Sequence, residues 1–161
     1  MSFQEVDISD EVNIPQKPAL TYLYIHIRTG MGHVTEGLAG VIETVYAAAA
    51  EQGLEPPGPS FCAYLEREFD PRHFVLNASA SAEGNFVSAG EVRVAHTPAG
   101  PAAVILHIGP YDSMSSAFID VDEWTKVQGR VPNGSAREVY LVSWGQAEPS
   151  DFRTEVIIPV K

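Results

Sequence analysis

The chain has 161 residues, 45% of them hydrophobic and 19% charged, which is enough apolar material for one buried core and too little charge for a disordered chain. Its formal charge of −11 repels phosphate backbones and anionic lipid, and no apolar run approaches the roughly 20 residues of a membrane span. Cys62 is the only cysteine, which excludes an intrachain disulfide and a thiolate-rich metal site.

The acidic start MSFQEVDISDEV has neither the basic residues nor the apolar stretch of a secretory leader, so the expected location is the cytoplasm. The Asn-x-Ser sequons at Asn77 and Asn133 then carry no glycan.

In chain order, Glu5-Val6-Asp7-Ile8 reads as a first strand and LTYLYIHI from Leu20 to Ile27 as a second. A helical stretch runs on to Gly53, followed by strands at FCAYL from Phe61 and HFVLNASA from His73. In that helix Leu38, Val41, Ile42, Val45, Ala48 and Ala49 recur at three- and four-residue steps, and Gly53 is placed as the C′ glycine. The small polar stretch Ser81-Ala82-Glu83-Gly84-Asn85 reads as a linker.

Beyond it the order returns: Glu91-Val92-Arg93-Val94, AAVILHI from Ala102 to Ile108, a helix to Gly129, REVYLVSW from Arg137 and TEVIIPV from Thr154. Met114, Ala117, Phe118, Val121 and Thr125 form the second apolar stripe, with Asp112 or Ser113 as N-cap and Gly129 as terminator. Each half reads β-β-α-β-β. The predicted fold is therefore α+β, one domain over residues 1–161 made of two half-repeats, about 1–82 and 86–161, with pseudo-twofold symmetry. Both helices are expected on one face of a curved antiparallel sheet, which leaves the other face as a cleft where function is to be sought.

These phrases resemble the GyrI-like, or effector-binding, domain family along nearly the whole chain. The resemblance is carried by His107-Ile108-Gly109-Pro110-Tyr111 entering a helix, Trp124 late in it, Arg137-Glu138-Val139-Tyr140-Leu141, and Thr154-Glu155-Val156-Ile157-Ile158-Pro159-Val160. Tyr64 in CAYL and the phrase HFVLNASA match more loosely. The resemblance implies the duplicated fold and a central pocket with an acidic residue on the penultimate strand near aromatic rings, the place Glu138 occupies. It implies a trap for lipophilic cations, as in the family's regulators, or a hydrolase of cyclopropane-bearing alkylating compounds, as in some stand-alone members. A namesake member inhibits DNA gyrase. The chain leaves no room for a helix-turn-helix reader, so direct regulation of DNA is not expected.

Strand alternation puts Glu138, Tyr140 and Val142 on one face and Val139, Leu141 and Ser143 on the other. With the Val/Leu face against the helix, Glu138 looks into the cleft. A carboxylate there demands a companion cation or a raised pKa, which suits it to hold a cationic ligand or to activate water. The plain alternative is a salt bridge to Arg137, Arg153 or another partner. Tyr140 and its half-repeat counterpart Tyr64 are read as facing each other across the seam, where each ring offers stacking or cation–π contact worth roughly 0.5–2 kcal/mol. Trp124 is either a partly buried anchor or a pocket wall. Tyr111 either donates its hydroxyl to a ligand, assists Glu138 in an enzyme, or holds the turn. His26 and His107 are read as repeat equivalents, and His107 as a ligand-binding residue able to pair with Glu138 across neighbouring strands.

No cofactor is expected. His26, His33, His73, His96 and His107 lack metal-site spacing, and Gly30-Met31-Gly32 has Thr35 where a dinucleotide fingerprint needs its third glycine. There is no Gly-x-Ser-x-Gly elbow, so any hydrolysis has to use activated water. The leading expectation is a binding protein for amphipathic, aromatic or cationic small molecules, with Glu138 as anchor and Tyr64 and Tyr140 as walls. Next is a Glu138-dependent hydrolase of strained electrophiles, and last an acidic protein that occupies a DNA-binding enzyme.

Overall fold

The computed structural model describes residues 12–29, 34–56, 58–64, 74–110, 114–142 and 146–161. Its elements in chain order are β1 (Gln16–Lys17), β2 (Leu20–Thr29), α1 (Val34–Glu51), β3 (Ser60–Tyr64), β4 (Phe74–Ser81), β5 (Arg93–Thr97), β6 (Gly100–Ile108), α2 (Met114–Val127), β7 (Ala136–Val142) and β8 (Arg153–Pro159). A 3-10 turn at Pro149–Asp151 precedes β8. The β-β-α-β-β order thus occurs twice and the class is α+β, as the repeated phrases predict. The strand expected at Glu5–Ile8 lies outside the described residues. The first described strand is the short β1, flanked by Pro15 and Pro18, which lack the donor a longer ladder needs.

Contacts divide the chain into two compact units, one from Met1–Pro18 with Ala99–Lys161 and the other from Ala19–Pro98. In the first, four antiparallel strands run in the order β1-β6-β8-β7; in the second the order is β5-β2-β4-β3. The units are therefore not the two sequence halves. The short opening strand of each half is stitched to the second strand of the other, β1 to β6 and β5 to β2.

Each unit packs one helix on one face of its own strands. In the first unit Val121 of α2 joins Val12, Ala103, Ile105, Val156, Ile158 and Val160, with Trp124 and Ala136 half-buried against them. In the second, Val45 and Ala49 of α1 join Leu23, Ile25, Ala80, Ala82 and Val92, with Val41 and Ala48 alongside. Burial of these stripes drives both helices onto their sheets, as their spacing requires. The opposite face of the first unit carries a smaller apolar set, Ala102, Val104 and Ile157 with Val139.

Both helices end in the same way. Leu54 N–H donates to the Ala49 carbonyl at 2.9 Å and Gly53 N–H to Ala50 at 3.0 Å, while Arg130 N–H donates to Thr125 at 3.1 Å and Gly129 N–H to Lys126 at 2.9 Å. This is the Schellman pattern twice, with Gly53 at φ 74° and Gly129 at φ 73°, a conformation that favours glycine.

Candidate ligand-binding site

β8 is the central strand for the site, because β6 and β7 flank it and directly opposed residues of an antiparallel pair share a face. Val156 of the helix-side core stands between Ile105 of β6 and Glu138 of β7. Two residues along, Thr154 stands between His107 of β6 and Tyr140 of β7. Glu138, Tyr140, Thr154 and His107 thus share the face on which α2 packs. Glu138 and Tyr140 each keep 8% of their surface exposed. The Tyr140 hydroxyl donates to Glu138 Oε1 at 3.0 Å, so the carboxylate is held by a phenol on its own strand.

This corrects the expected orientation. Alternation rightly groups Glu138 with Tyr140, but it is Val139 that turns away from the helix, toward Ile157, Val104 and Ala102. Glu138 looks to the helix side. Arg137 opposes Ile157 and Arg153 opposes Ile108, so both leave their strands on the face opposite Glu138.

The histidine expectation is corrected too. In the core of each unit Leu23 pairs with Ala80 and Ala103 with Ile158, which makes Ile25 the equivalent of Ile105. His107 therefore corresponds to Ile27, and His26 to Leu106. His26 lies on the face away from α1, where its Nδ1 is 2.9 Å from Asn77 Oδ1. β8 separates His107 from Glu138, so their strands lie about 10 Å apart. His107 Nε2 is instead 3.2 Å from the Pro110 carbonyl oxygen.

The same register compares β3 with β7. Cys62 opposes Ala78 as Glu138 opposes Val156, and Tyr64 opposes Leu76 as Tyr140 opposes Thr154. Tyr64 is thus the structural counterpart of Tyr140, as expected, and it is half-buried at the end of β3. The polar positions differ: Cys62 stands where the other unit has Glu138, and Leu76 where it has Thr154. Trp124 packs half-buried against the core of its unit, the position of an anchor. Tyr111 lies outside the described residues.

Thr154 is the residue that sequence reasoning missed. Its side chain is fully buried, at 0% exposure, and Oγ1 has no hydrogen-bond partner. Nearly all buried hydroxyls are bonded, and leaving one unbonded costs about 1–3 kcal/mol. Only the alternation along TEVIIPV hinted at it, by placing Thr154 on one face with Val156 and Ile158.

Elsewhere, burial raises the pKa of the Tyr46 phenol, whose hydroxyl donates to the Gly58 carbonyl at 3.4 Å. A surface depression of about 430 Å³ in the second unit, between α1 and Ala89–Val92, is lined by no aromatic ring. Among the described residues no three His, Cys, Asp or Glu side chains converge as metal ligands, and no helix is long and apolar enough to cross a membrane.

The fold is that of several solved proteins. The C-terminal domain of EcmrR superposes with a TM-score of 0.83 at 22% identity, over 93% of this chain and 96% of that domain. In EcmrR bound to DNA the match has a TM-score of 0.82 at 20% identity, and this chain spans 57% of that longer one. A hydrolase from Listeria innocua matches at 0.68 and 13% identity over 98% of this chain and 95% of that one. SAV2435, solved bound to tetraphenylphosphonium, matches at 0.59 and 17% identity over 94% of each chain. No curated protein sequence matches the chain. An α+β duplication of this form is the fold these proteins share. The sequence matches the GyrI-like small molecule binding domain over residues 10–161, and the chain belongs to that family.

Proposed function

We propose that the chain is a cytoplasmic binding protein for aromatic, cationic small molecules, and that Glu138 is the anchor for the positive charge. The observation that carries this reading is the buried Glu138–Tyr140 pair, in which a carboxylate bonded at 3.0 Å by a phenol lies opposite Val156 of the apolar helix-side core. Such a group favours a cation that is itself too apolar to be held by water. With 8% exposure it meets a ligand only when the side chains over it give way. The family supplies the general activity, small-molecule binding, and tetraphenylphosphonium on SAV2435 shows that the fold accepts a bulky lipophilic cation in that protein. A lone buried cysteine with no disulfide suits a reducing compartment.

The test is titration of wild-type and Glu138→Gln protein with tetraphenylphosphonium. Loss of a charge-assisted contact is expected to weaken binding by about tenfold or more while leaving the protein folded. Equal affinity in the two proteins would remove Glu138 from the site.

The Listeria innocua neighbour is described as a hydrolase, which favours turnover as the second reading. Glu138 would then activate water toward a strained electrophile. Mass spectrometry of a cyclopropane-bearing alkylating compound separates the two, because only an enzyme forms the hydrated product faster than the protein-free solution and the Glu138→Gln protein do.

A further inference from the structure

We infer that Thr154 is a second anchor of the same site, one that reads an oxygen acceptor on the ligand beside its positive charge. The inference rests on the reading of Glu138 as the cation anchor and adds a chemical class: aromatic cations that carry an ether, carbonyl or hydroxyl oxygen.

Three observations carry it. Thr154 Oγ1 is fully buried and bonded to nothing, while the neighbouring polar groups make contacts of their own. It lies directly opposite Tyr140 and two residue pairs along from Glu138, on the same face, so an oxygen that reached it would belong to a molecule already touching those two. Finally, the fold does not require a hydroxyl there. The equivalent position of the other unit is Leu76, also fully buried, so an apolar side chain fills that place in the duplicated fold. A hydroxyl kept where a leucine fits, and left without a partner, is a donor waiting for an acceptor that the protein does not supply.

The experiment compares (4-methoxyphenyl)triphenylphosphonium with (4-ethylphenyl)triphenylphosphonium, which share shape and charge and differ in the ether oxygen. Affinities are measured calorimetrically for wild type, Thr154→Val and Thr154→Ser. The ratio of methoxy to ethyl affinity is expected to fall about fivefold in Thr154→Val, the worth of one neutral hydrogen bond, and to persist in Thr154→Ser. Thermal unfolding of free Thr154→Val is expected to match or exceed wild type, since no bond is lost. An unchanged ratio with both compounds bound overturns the inference and spares Glu138 as the cation anchor. A lower melting temperature for Thr154→Val overturns it as well, because the hydroxyl would then serve the fold. If neither phosphonium binds wild type, both readings fall together.

Discussion

Tyr140 and Glu138 sit two residues apart on β7, and their hydrogen bond is local enough that the pair acts as one group. Replacing Tyr140 by Phe leaves the carboxylate buried with one donor fewer. We expect a loss of about 1.5 kcal/mol in urea unfolding, the lower end for a bond to a charged group. In Glu138→Gln the same Tyr140→Phe change should cost less, leaving a coupling of about 1 kcal/mol in the double-mutant cycle. A coupling near zero would show that the phenol and carboxylate do not meet in solution. That Glu138 and Tyr140 share a face was legible in the sequence, because strand alternation is a property of one segment. Which face they share was not legible. It depends on Glu138 opposing Val156, a register between two strands that neither phrase contains. Thr154 was invisible for the same reason. An orphaned hydroxyl is defined by what its own strand and the two beside it fail to offer it.

At the scale of elements the most readable signals were those closed within a few residues. Gly53 and Gly129 marked both helix ends, and each takes up the left-handed conformation that a Schellman motif demands. A Cβ at either meets no atom within 4 Å, so the cost of a side chain there is backbone strain alone. Gly53→Ala and Gly129→Ala are each expected to destabilise by about 1 kcal/mol, lowering the melting temperature by about 2–4 °C. Gly40 supplies the opposite sign. It lies inside α1 without positive φ and also has open space at its Cβ, so Gly40→Ala should stabilise by up to about 1 kcal/mol. Three glycines with equal steric room thus give two signs, and calorimetry that found all three alike would undo the argument from φ. The least readable element was β1. Two residues between prolines carry no alternation to detect, and the strand exists because Gln16 and Lys17 meet Pro101 and Gly100, far along the chain.

Across the whole molecule, the repeated β-β-α-β-β order was plain in the sequence, whereas the trade of opening strands between halves was not. A repeat announces that two segments fold alike and is silent on whose strand completes whose sheet. Net charge is the other property at this scale, and it makes a claim separable from the site. The formal charge of −11 draws cations toward the surface through a field that salt screens over a Debye length of about 10 Å at 0.1 M. Contact with one carboxylate acts over a few ångströms and is screened far less. Raising sodium chloride from about 0.05 to about 0.5 M should therefore weaken tetraphenylphosphonium binding severalfold in wild type. Glu138→Gln removes one of the many charges, so its affinity should fall by a constant factor while the slope against salt stays nearly the same. Parallel lines would assign attraction to the chain as a whole and retention to Glu138. A slope that disappeared with Glu138 would instead mean that the remaining acidic surface takes no part in gathering the ligand.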